Sequence, residues 1–160
     1  MSTVVRRDSK RDAGRKERIK DSKQYEKLTL LKRSKTPLPA NPGDAKLEAF
    51  RNTHQSRSYF VHFDCPEFTS LCPVTGQPDF GHITVRYVPN EWCLESKSLK
   101  LYLFSFRNCS VFHEDVVNRI LNDIVRNIMP RQATVTGNFM PRGGISISIE
   151  ASYPDPAVKR

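Results

Sequence analysis

The order of the hydrophobic patterns along this chain predicts that it folds as an α+β protein. Two segments in which apolar and polar residues alternate precede two helix-like segments, and two further alternating segments follow. One four-stranded antiparallel sheet with both helices on one face accommodates this order. With 160 residues, the chain is long enough for one domain with a buried core. The predicted strands span residues 58–63, 81–88, 133–139 and 145–152, and the predicted helices span residues 95–106 and 113–129.

The first two strands flank a loop rich in proline and glycine. Aromatic residues recur over residues 58–63, and Ile83, Val85 and Tyr87 mark one face of the second strand. The loop between them, residues 68–80, has fixed φ angles at its prolines and a turn at its glycine. It is expected to hold a defined shape without regular secondary structure.

Both helices are predicted from apolar residues three and four positions apart. Leu99, Leu103 and Phe106 share one side of the first helix. Acidic residues in the first turn of the second helix suit the helix dipole, and Pro130 ends it. Its apolar face consists of Val116, Val117, Ile120, Leu121, Ile124, Val125 and Ile128.

The last two strands are predicted to form a hairpin through the turn at residues 141–144. Ile145, Ile147 and Ile149 alternate with serines, so the isoleucines share one face of the last strand. A four-stranded sheet covered on one side leaves two strand edges and one face free. Such edges favour pairing with neighbouring subunits.

The positive charge of the chain is concentrated at its start. The formal net charge is +9, and residues 1–36 hold 13 Lys and Arg against 5 Asp and Glu. The rest of the chain is therefore close to neutral. We expect residues 1–45 to be a basic, flexible extension with a proline-rich linker, and residues 46–160 to be a single folded domain.

The four cysteines are predicted to be reduced thiols. They form no CxxC pair and have no histidine at structural-zinc spacing, so no metal site is expected. The chain has neither a signal-peptide pattern nor an apolar run of about 20 residues. We therefore expect a soluble, cytoplasmic protein that does not bind membranes. The cysteines are Cys65, Cys72, Cys93 and Cys109.

Cys72 and Asp79 lie seven positions apart within the loop at residues 68–80. A thiol and a carboxyl on one rigid loop can supply a nucleophile and a proton donor to the same substrate atom. The alternative is an ordinary proline and glycine turn that contains a structural cysteine.

Two further segments accompany this loop: Glu-Ser-Lys-Ser-Leu-Lys-Leu-Tyr at residues 95–102 and Phe-His-Glu at residues 112–114. Together with the loop, they resemble the QueF family of NADPH-dependent nitrile reductases of queuosine biosynthesis, a tRNA modification pathway. The resemblance covers about residues 50–155. It implies the tunnelling fold (T-fold), in which the sheets of several subunits join into a barrel. It also implies active sites at subunit interfaces and a decamer of two pentamers.

The resemblance implies reduction of the nitrile 7-cyano-7-deazaguanine to 7-aminomethyl-7-deazaguanine, with two NADPH per nitrile. Cys72 is the implied nucleophile that forms a covalent thioimide, and Asp79 is the implied proton donor to the nitrile nitrogen. The thiol then needs partial exposure and a lowered pKa. The carboxyl needs desolvation to remain protonated, so we expect Asp79 to lie in a largely apolar pocket.

The substrate-binding residues implied by the resemblance are His113 and Glu114, with Leu94, Glu95 and Ser96 lining the same pocket. A carboxylate such as Glu114 can accept the paired N–H donors of a guanine-like ring. On local evidence alone, the same two residues would be a surface histidine and an acid at a helix N-terminus.

Lys97 and Lys100 lie three positions apart on a predicted helix and so share a face. The resemblance implies that they, together with Arg142, contact the phosphates of NADPH. Two lysines on a solvated helix face would show the same pattern. No GxGxxG follows a strand, which argues against a Rossmann cofactor site.

Two other functions stay open. A zinc-dependent, cyclohydrolase-like enzyme of the same fold would use Cys72 and a histidine as metal ligands. A nucleic-acid-binding protein would use the basic extension to contact phosphates of RNA or another acidic partner, with steep salt dependence.

Overall fold

The structure is a computed structural model that describes residues 28–30 and 38–155. Most of the basic extension lies outside the described residues, so its predicted flexibility stays a prediction. The described elements are strands β1 (Ala49–Arg51), β2 (Val61–Leu71), β3 (Pro78–Val88), β4 (Trp92–Leu94), β5 (Gln132–Arg142) and β6 (Ile145–Tyr153), and helices α1 (Ser96–Phe104) and α2 (His113–Ile128).

The main sheet is antiparallel and has the strand order β2-β3-β5-β6. Strands β3 and β5 pair in the centre, with Val85 opposite Val135, and β6 pairs with β5 at one edge. The two helices are inserted between β3 and β5 in the sequence. The predicted α+β class and the four-stranded antiparallel sheet are confirmed.

Strand β2 is longer than predicted, and β3 begins earlier. A register shift between Cys65 and Phe68 breaks the alternation in β2, so the pattern at residues 58–63 covers only its beginning. Pro66 is tolerated there because β2 is an edge strand. The predicted loop at residues 68–80 is therefore wrong in extent: only residues 72–77 connect the two strands.

A second, two-stranded sheet was not predicted. Strand β1 pairs with β4, with Phe50 opposite Cys93. Each strand has three residues, too few for a hydrophobic alternation to be recognised. The pair orients the entry to α1, because Glu95 N also donates to Glu48 O at 2.8 Å.

The helix boundaries agree with the sequence predictions to within two residues. Helix α1 continues into a 3₁₀ turn, Ser105–Asn108. This turn covers the end of the predicted helical segment. Helix α2 carries Glu114 and Asp115 in its first turn. It ends at Met129, a C-cap residue in the left-handed region with a φ of 41°. Within the described part of the chain, no helix is long and apolar enough to cross a membrane.

The core lies between the helices and one face of the sheet. Helix α2 lies close to β5 at Gly137, where an added Cβ would lie 2.7 Å from Val117 Cγ2. Burying each large apolar side chain of this core contributes about 1.5–3 kcal/mol. The fully buried members include Ile83, Val85, Tyr87, Leu99, Tyr102, Phe106, Val116, Val117, Ile120, Ile124, Ile128 and Val135.

The last strand leaves apolar surface exposed. Ile147 and Ile149 pair with Phe139 and Gly137 and so share the helix-covered face, as the alternation predicted. Nevertheless, Ile147 is 37% exposed and Ile145 is 70% exposed. Joining of the sheets between subunits concerns several copies of the chain and stays a prediction.

Candidate functional site

A closed turn between β2 and β3 carries Cys72. The Cys72 N–H donates to Gln77 O at 2.9 Å, and the Gly76 N–H donates to Cys72 O at 2.9 Å. Gly76 has a φ of 69°, a conformation that glycine adopts without steric cost. These two bonds fix the position of the cysteine within an otherwise exposed segment.

The pKa of the Cys72 thiol is lowered to about 7. The main causes are hydrogen bonds to the sulfur from the side chain and backbone of Thr75 and from the backbone of Val74; the Arg142 guanidinium lowers the pKa further. Much of Cys72 is therefore thiolate at neutral pH, the form that attacks electrophiles. This agrees with the exposure and pKa expected of a nucleophile. Thr75 was not predicted as a site residue, although a hydroxyl residue beside glycine in a short turn typically bonds to nearby groups.

Asp79 lies in β3 rather than in the loop, and it is only 5% exposed. It pairs with Ser70 across the strands and faces the helices. Its Oδ1 is 2.5 Å from Arg142 Nη2 and 3.3 Å from His113 Nε2. The predicted burial is correct, but the predicted apolar surroundings are wrong. The cause is that β3 brings Asp79 to the end of the sheet where β5 ends and α2 begins.

His113 is the first residue of α2, and a stacking contact of its imidazole ring holds the side chain in place. The imidazole stacks on Phe139, with 3.8 Å between ring centroids and 10° between planes. Its Nε2 is buried and lacks the geometry of a hydrogen bond, even though Asp79 is close. The neighbouring Glu114 is exposed. A histidine with an open Nε2 and an accessible carboxylate therefore stand beside the Cys72 turn.

Arg142 comes from the end of β5 and reaches the same turn. Besides Asp79, its Nη2 donates to Gln77 O at 3.2 Å and to Pro78 O at 2.7 Å. The arginine that was predicted to contact the cofactor thus lies against the turn that carries Cys72 and against the Asp79 carboxyl. We refer to Cys72, Asp79, His113 and Arg142 as the nucleophile cluster.

Leu94, Glu95 and Ser96 lie elsewhere, at the start of α1; we refer to them as the helix-cap cluster. Glu95 is 4% exposed, and its carboxylate accepts the N–H groups of Lys97 at 2.8 Å and of Ser98 at 2.7 Å. It is the N-cap of α1. The three residues line a cavity of about 510 Å³ together with Leu28, Phe50, Tyr59, Val61, Phe63, Tyr87 and Cys93.

The two predicted cofactor lysines have different surroundings. Lys97 Nζ donates to Leu30 O at 2.5 Å, so a segment preceding the domain contacts it. Lys100 is exposed and lines a cleft of about 430 Å³ beside β2, together with Arg107, Asp64 and Glu67. Two cations are therefore available to an anionic ligand in this cleft, although two carboxylates accompany them.

The two clusters lie at opposite ends of the sheet within one chain. The Leu94 N–H donates to the Tyr87 hydroxyl at 2.9 Å, which places the helix-cap cluster beside Tyr87. Tyr87 and Asp79 are eight residues apart on β3, which corresponds to about 26 Å of strand. The structure therefore brings together Cys72, Asp79, His113 and Arg142 but not the helix-cap cluster. Among the described residues, no three His, Cys, Asp or Glu side chains are grouped so that they could hold a metal ion.

Residues 28–30 of the extension pack on the domain. Leu28 is 2% exposed, and Thr29 and Leu30 donate backbone hydrogen bonds to Glu48. The predicted domain boundary at residue 46 stays a prediction, but residues 28–30 pack on the domain that follows.

Comparisons with known proteins identify relatives of this chain. A family model described as QueF-like protein matches residues 78–158. Relatives named NADPH-dependent 7-cyano-7-deazaguanine reductase occur in Bacteroides fragilis, with 54% identity over 84% of this chain and 88% of the relative, and in Bacillus pumilus, with 52% identity over 85% and 82%. A third, from Streptococcus thermophilus, is 48% identical over 141 residues, which are 88% of this chain and 86% of the relative.

The Streptococcus alignment includes more residues than residues 46–160 contain, so the similarity extends into the N-terminal extension. Among solved structures, the apo form of an archaeosine synthase QueF-Like matches with a TM-score of 0.55 at 22% identity, over 58% of this chain and 91% of that one. This match concerns the fold. Because the family model covers half of the chain and several relatives are about half identical to it, the chain belongs to the QueF family of nitrile reductases.

Proposed function

We propose that this protein reduces the nitrile of 7-cyano-7-deazaguanine to the primary amine 7-aminomethyl-7-deazaguanine with NADPH. The reaction takes four electrons, so two NADPH are consumed for each nitrile. The observation that carries the proposal is the lowered pKa of Cys72, on a turn bonded to the same arginine as Asp79, in a chain of this family.

In the first step, the Cys72 sulfur bonds to the nitrile carbon and one π bond of the nitrile breaks. The nitrogen takes up a proton, which gives a neutral thioimide. An ion-paired carboxylate has no proton to give, so Asp79 must first receive one. Because much of Cys72 is already thiolate at neutral pH, water is the balanced source: Asp79 takes a proton from it and passes the proton to the nitrogen as the sulfur attacks.

NADPH supplies the hydrides that convert the thioimide carbon into the carbon of the amine, and Cys72 leaves between the two transfers. We propose Lys97, Lys100 and Arg142 as its phosphate contacts. The exposed position of Lys100 beside Arg107 fits an anionic ligand.

We assign recognition of the deazaguanine ring to His113 and Glu114. Glu114 is exposed next to the nucleophile cluster, and its carboxylate can accept two N–H groups of the ring. A site that pairs such donors rejects analogues that lack them, because a carboxylate would then be left unpaired in the complex.

We further propose that each active site is shared between two copies of the chain, in a decamer of two pentamers. Leu94, Glu95 and Ser96 are the remaining proposed substrate residues, yet they lie about 26 Å along the strand from Asp79. A neighbouring copy that presents its helix-cap cluster to the nucleophile cluster would complete the site. The exposed Ile145 and Ile147 on the edge strand β6 support such contacts.

Co-expression of two inactive variants tests the shared site. Cys72→Ala removes the nucleophile, and Glu95→Gln removes the charge of the helix-cap cluster but keeps an oxygen for capping. If sites are shared, randomly mixed oligomers contain about one quarter of sites with both halves intact, and activity returns. No recovery in mixed oligomers would place the complete site within one chain.

Intact mass measurement tests the reaction itself. Protein mixed with 7-cyano-7-deazaguanine in the absence of NADPH is expected to gain the mass of one substrate and to lose it when NADPH is added. Cys72→Ala is expected to form no adduct. Cys65→Ala removes a different free cysteine, which lies in β2, and is expected to form the adduct normally. A folded, reduced protein that forms no adduct would contradict the proposal and would favour the zinc-dependent alternative, which metal analysis would then test.

We place this activity in the cytoplasm, which the four free cysteines support. For the basic extension we propose weak binding to RNA or another acidic partner, supported by the +8 charge of residues 1–36. Deletion of residues 1–27 is expected to abolish salt-sensitive RNA binding and to leave nitrile reduction intact. Unchanged RNA binding after the deletion would contradict this role.

A further inference from the structure

We propose that Arg142 is a positioning residue for the nucleophile and the carboxyl, in addition to any role in holding the cofactor. Its guanidinium joins the turn that carries Cys72 to the strand that carries Asp79. These contacts form within a single copy of the chain. This inference rests on the proposed function, because it assumes that Cys72 is the nucleophile.

The contacts of Arg142 form a continuous chain of bonds through the turn. Nη2 lies 2.5 Å from Asp79 Oδ1 and donates to the carbonyls of Gln77 and Pro78. The Gln77 carbonyl also accepts the Cys72 N–H at 2.9 Å. Movement of the arginine would therefore free both the carboxylate and the turn. A planar guanidinium with several fixed donors suits this arrangement better than a single ammonium group.

The backbone of β5 aims Arg142 at this position. The pairing of β5 with β6 is in register up to Phe139 and resumes at Arg142, opposite Ile145. Such an irregularity bends a strand and redirects a side chain. The turn that follows uses Gly143 and Gly144, with φ angles of 55° and 82°. Only 36% of the Arg142 side chain is exposed, as expected for a group directed into the protein.

The electrostatic role follows from the charges that meet here. Asp79 faces the arginine from β3, His113 faces Asp79 from α2, and Arg142 helps to lower the pKa of the Cys72 thiol. A guanidinium here favours both a carboxylate at Asp79 and a thiolate at Cys72, because its charge is opposite to theirs. Loss of Arg142 removes this contribution to the pKa of the thiol and also leaves the Asp79 charge uncompensated. Both changes disfavour the thiolate.

The test is the pH dependence of Cys72 alkylation by iodoacetamide, with neither the nitrile nor NADPH present. Alkylation is followed between about pH 5.5 and about pH 9. The masses of the peptides distinguish Cys72 from the other cysteines. The unaltered protein is expected to show a midpoint of about 7. Arg142→Gln is expected to raise the midpoint by about half a unit, so that alkylation at about pH 6 slows roughly threefold.

Three further variants make the result specific. Arg142→Lys keeps the charge and is expected to give a midpoint between the other two. Adding Asp79→Asn to Arg142→Gln is expected to lower the midpoint again, because the uncompensated carboxylate is gone. Arg126→Gln removes an arginine that is 78% exposed on α2, and it is expected to leave the midpoint unchanged.

An Arg142→Gln profile that coincides with that of Arg126→Gln would overturn the inference. If the KM for NADPH rose at the same time, Arg142 would be a cofactor contact alone. Thermal melting establishes whether each variant is folded. If Arg142→Gln is unfolded, the alkylation profile of Arg142→Lys tests the positioning role instead. Because alkylation requires no nitrile, failure of the proposed function would appear separately, as the absence of the substrate adduct.

Discussion

Cys72 owes most of its lowered pKa to Thr75 and Val74, which lie within three positions of it in the sequence. The lowered pKa is therefore largely a local property of the turn. Asp79 differs, because its partners Arg142 and His113 come from distant segments. The motif identified both residues, but only the three-dimensional structure revealed that the carboxyl is ion-paired rather than surrounded by apolar groups.

Asp79→Asn is predicted to separate nucleophile formation from proton transfer. Removing a nearby carboxylate does not disfavour the thiolate, so Cys72 remains open to alkylation at neutral pH. The amide cannot carry the proton to the nitrile nitrogen, and adduct formation with 7-cyano-7-deazaguanine is expected to slow about 10²- to 10⁴-fold. Rapid mixing followed by mass measurement checks both rates.

Asp64→Asn is the matched control, since Asp64 is an exposed carboxylate of β2 that pairs with His82. It is expected to leave both rates unchanged. Adduct formation at the normal rate in Asp79→Asn would show that the proton reaches the nitrogen by another route.

At the scale of elements, the contact between α2 and β5 decides how well the site is held. His113 at the start of α2 stacks on Phe139 of β5, so a shift of the helix would displace the imidazole from Asp79. The same helix packs on Gly137, two residues from Phe139, where only a glycine fits. Packing of the core and geometry of the site are therefore coupled through one strand.

Gly137→Ala is predicted to destabilise the protein by about 1–3 kcal/mol, because the added methyl overpacks the interface. It would lie 2.7 Å from Val117 Cγ2 and 2.9 Å from Phe139 Cε2. Denaturant unfolding followed by circular dichroism measures the change. Asn138→Ala, at the exposed neighbouring position, is expected to change stability by less than about 0.5 kcal/mol. Equal effects of the two variants would contradict this account of the packing.

For the whole molecule, the segment before the domain is held at Glu48. Thr29 donates to this carboxylate through its N–H at 3.1 Å and its hydroxyl at 2.5 Å, and Leu30 N donates at 3.2 Å. Burial would raise the pKa of Glu48, but these hydrogen bonds and Lys46 outweigh it and lower the pKa below its ordinary value of 4.5. A buried charge thus helps to attach residues 28–30 to the domain.

Glu48→Gln is predicted to weaken this attachment in a pH-dependent way. A carboxyl with a pKa lowered by folding contributes stability above its ordinary pKa and loses it as the pH falls through the folded-state value. The variant should therefore be less stable than the unaltered protein by about 1–3 kcal/mol at about pH 7, and the difference should shrink towards about pH 3.

Unfolding measured at several pH values checks this expectation. Glu150→Gln, an exposed carboxylate on β6, serves as the control and should show no such dependence. A difference for Glu48→Gln that stays constant with pH would mean that the ionised carboxylate is not what holds residues 28–30.

The sequence by itself determined the α+β class and both helices and singled out the residues of the candidate site, because these depend on periodicity over a few positions or on short motifs. Tertiary structure decided the bulge in β2, the pairing of β1 with β4, the approach of Arg142 to Asp79 and the distance between the two clusters. Each of these joins segments far apart in the chain or interrupts an alternation. Such contacts depend on packing and charge across the folded molecule, so they cannot be predicted from a local sequence pattern.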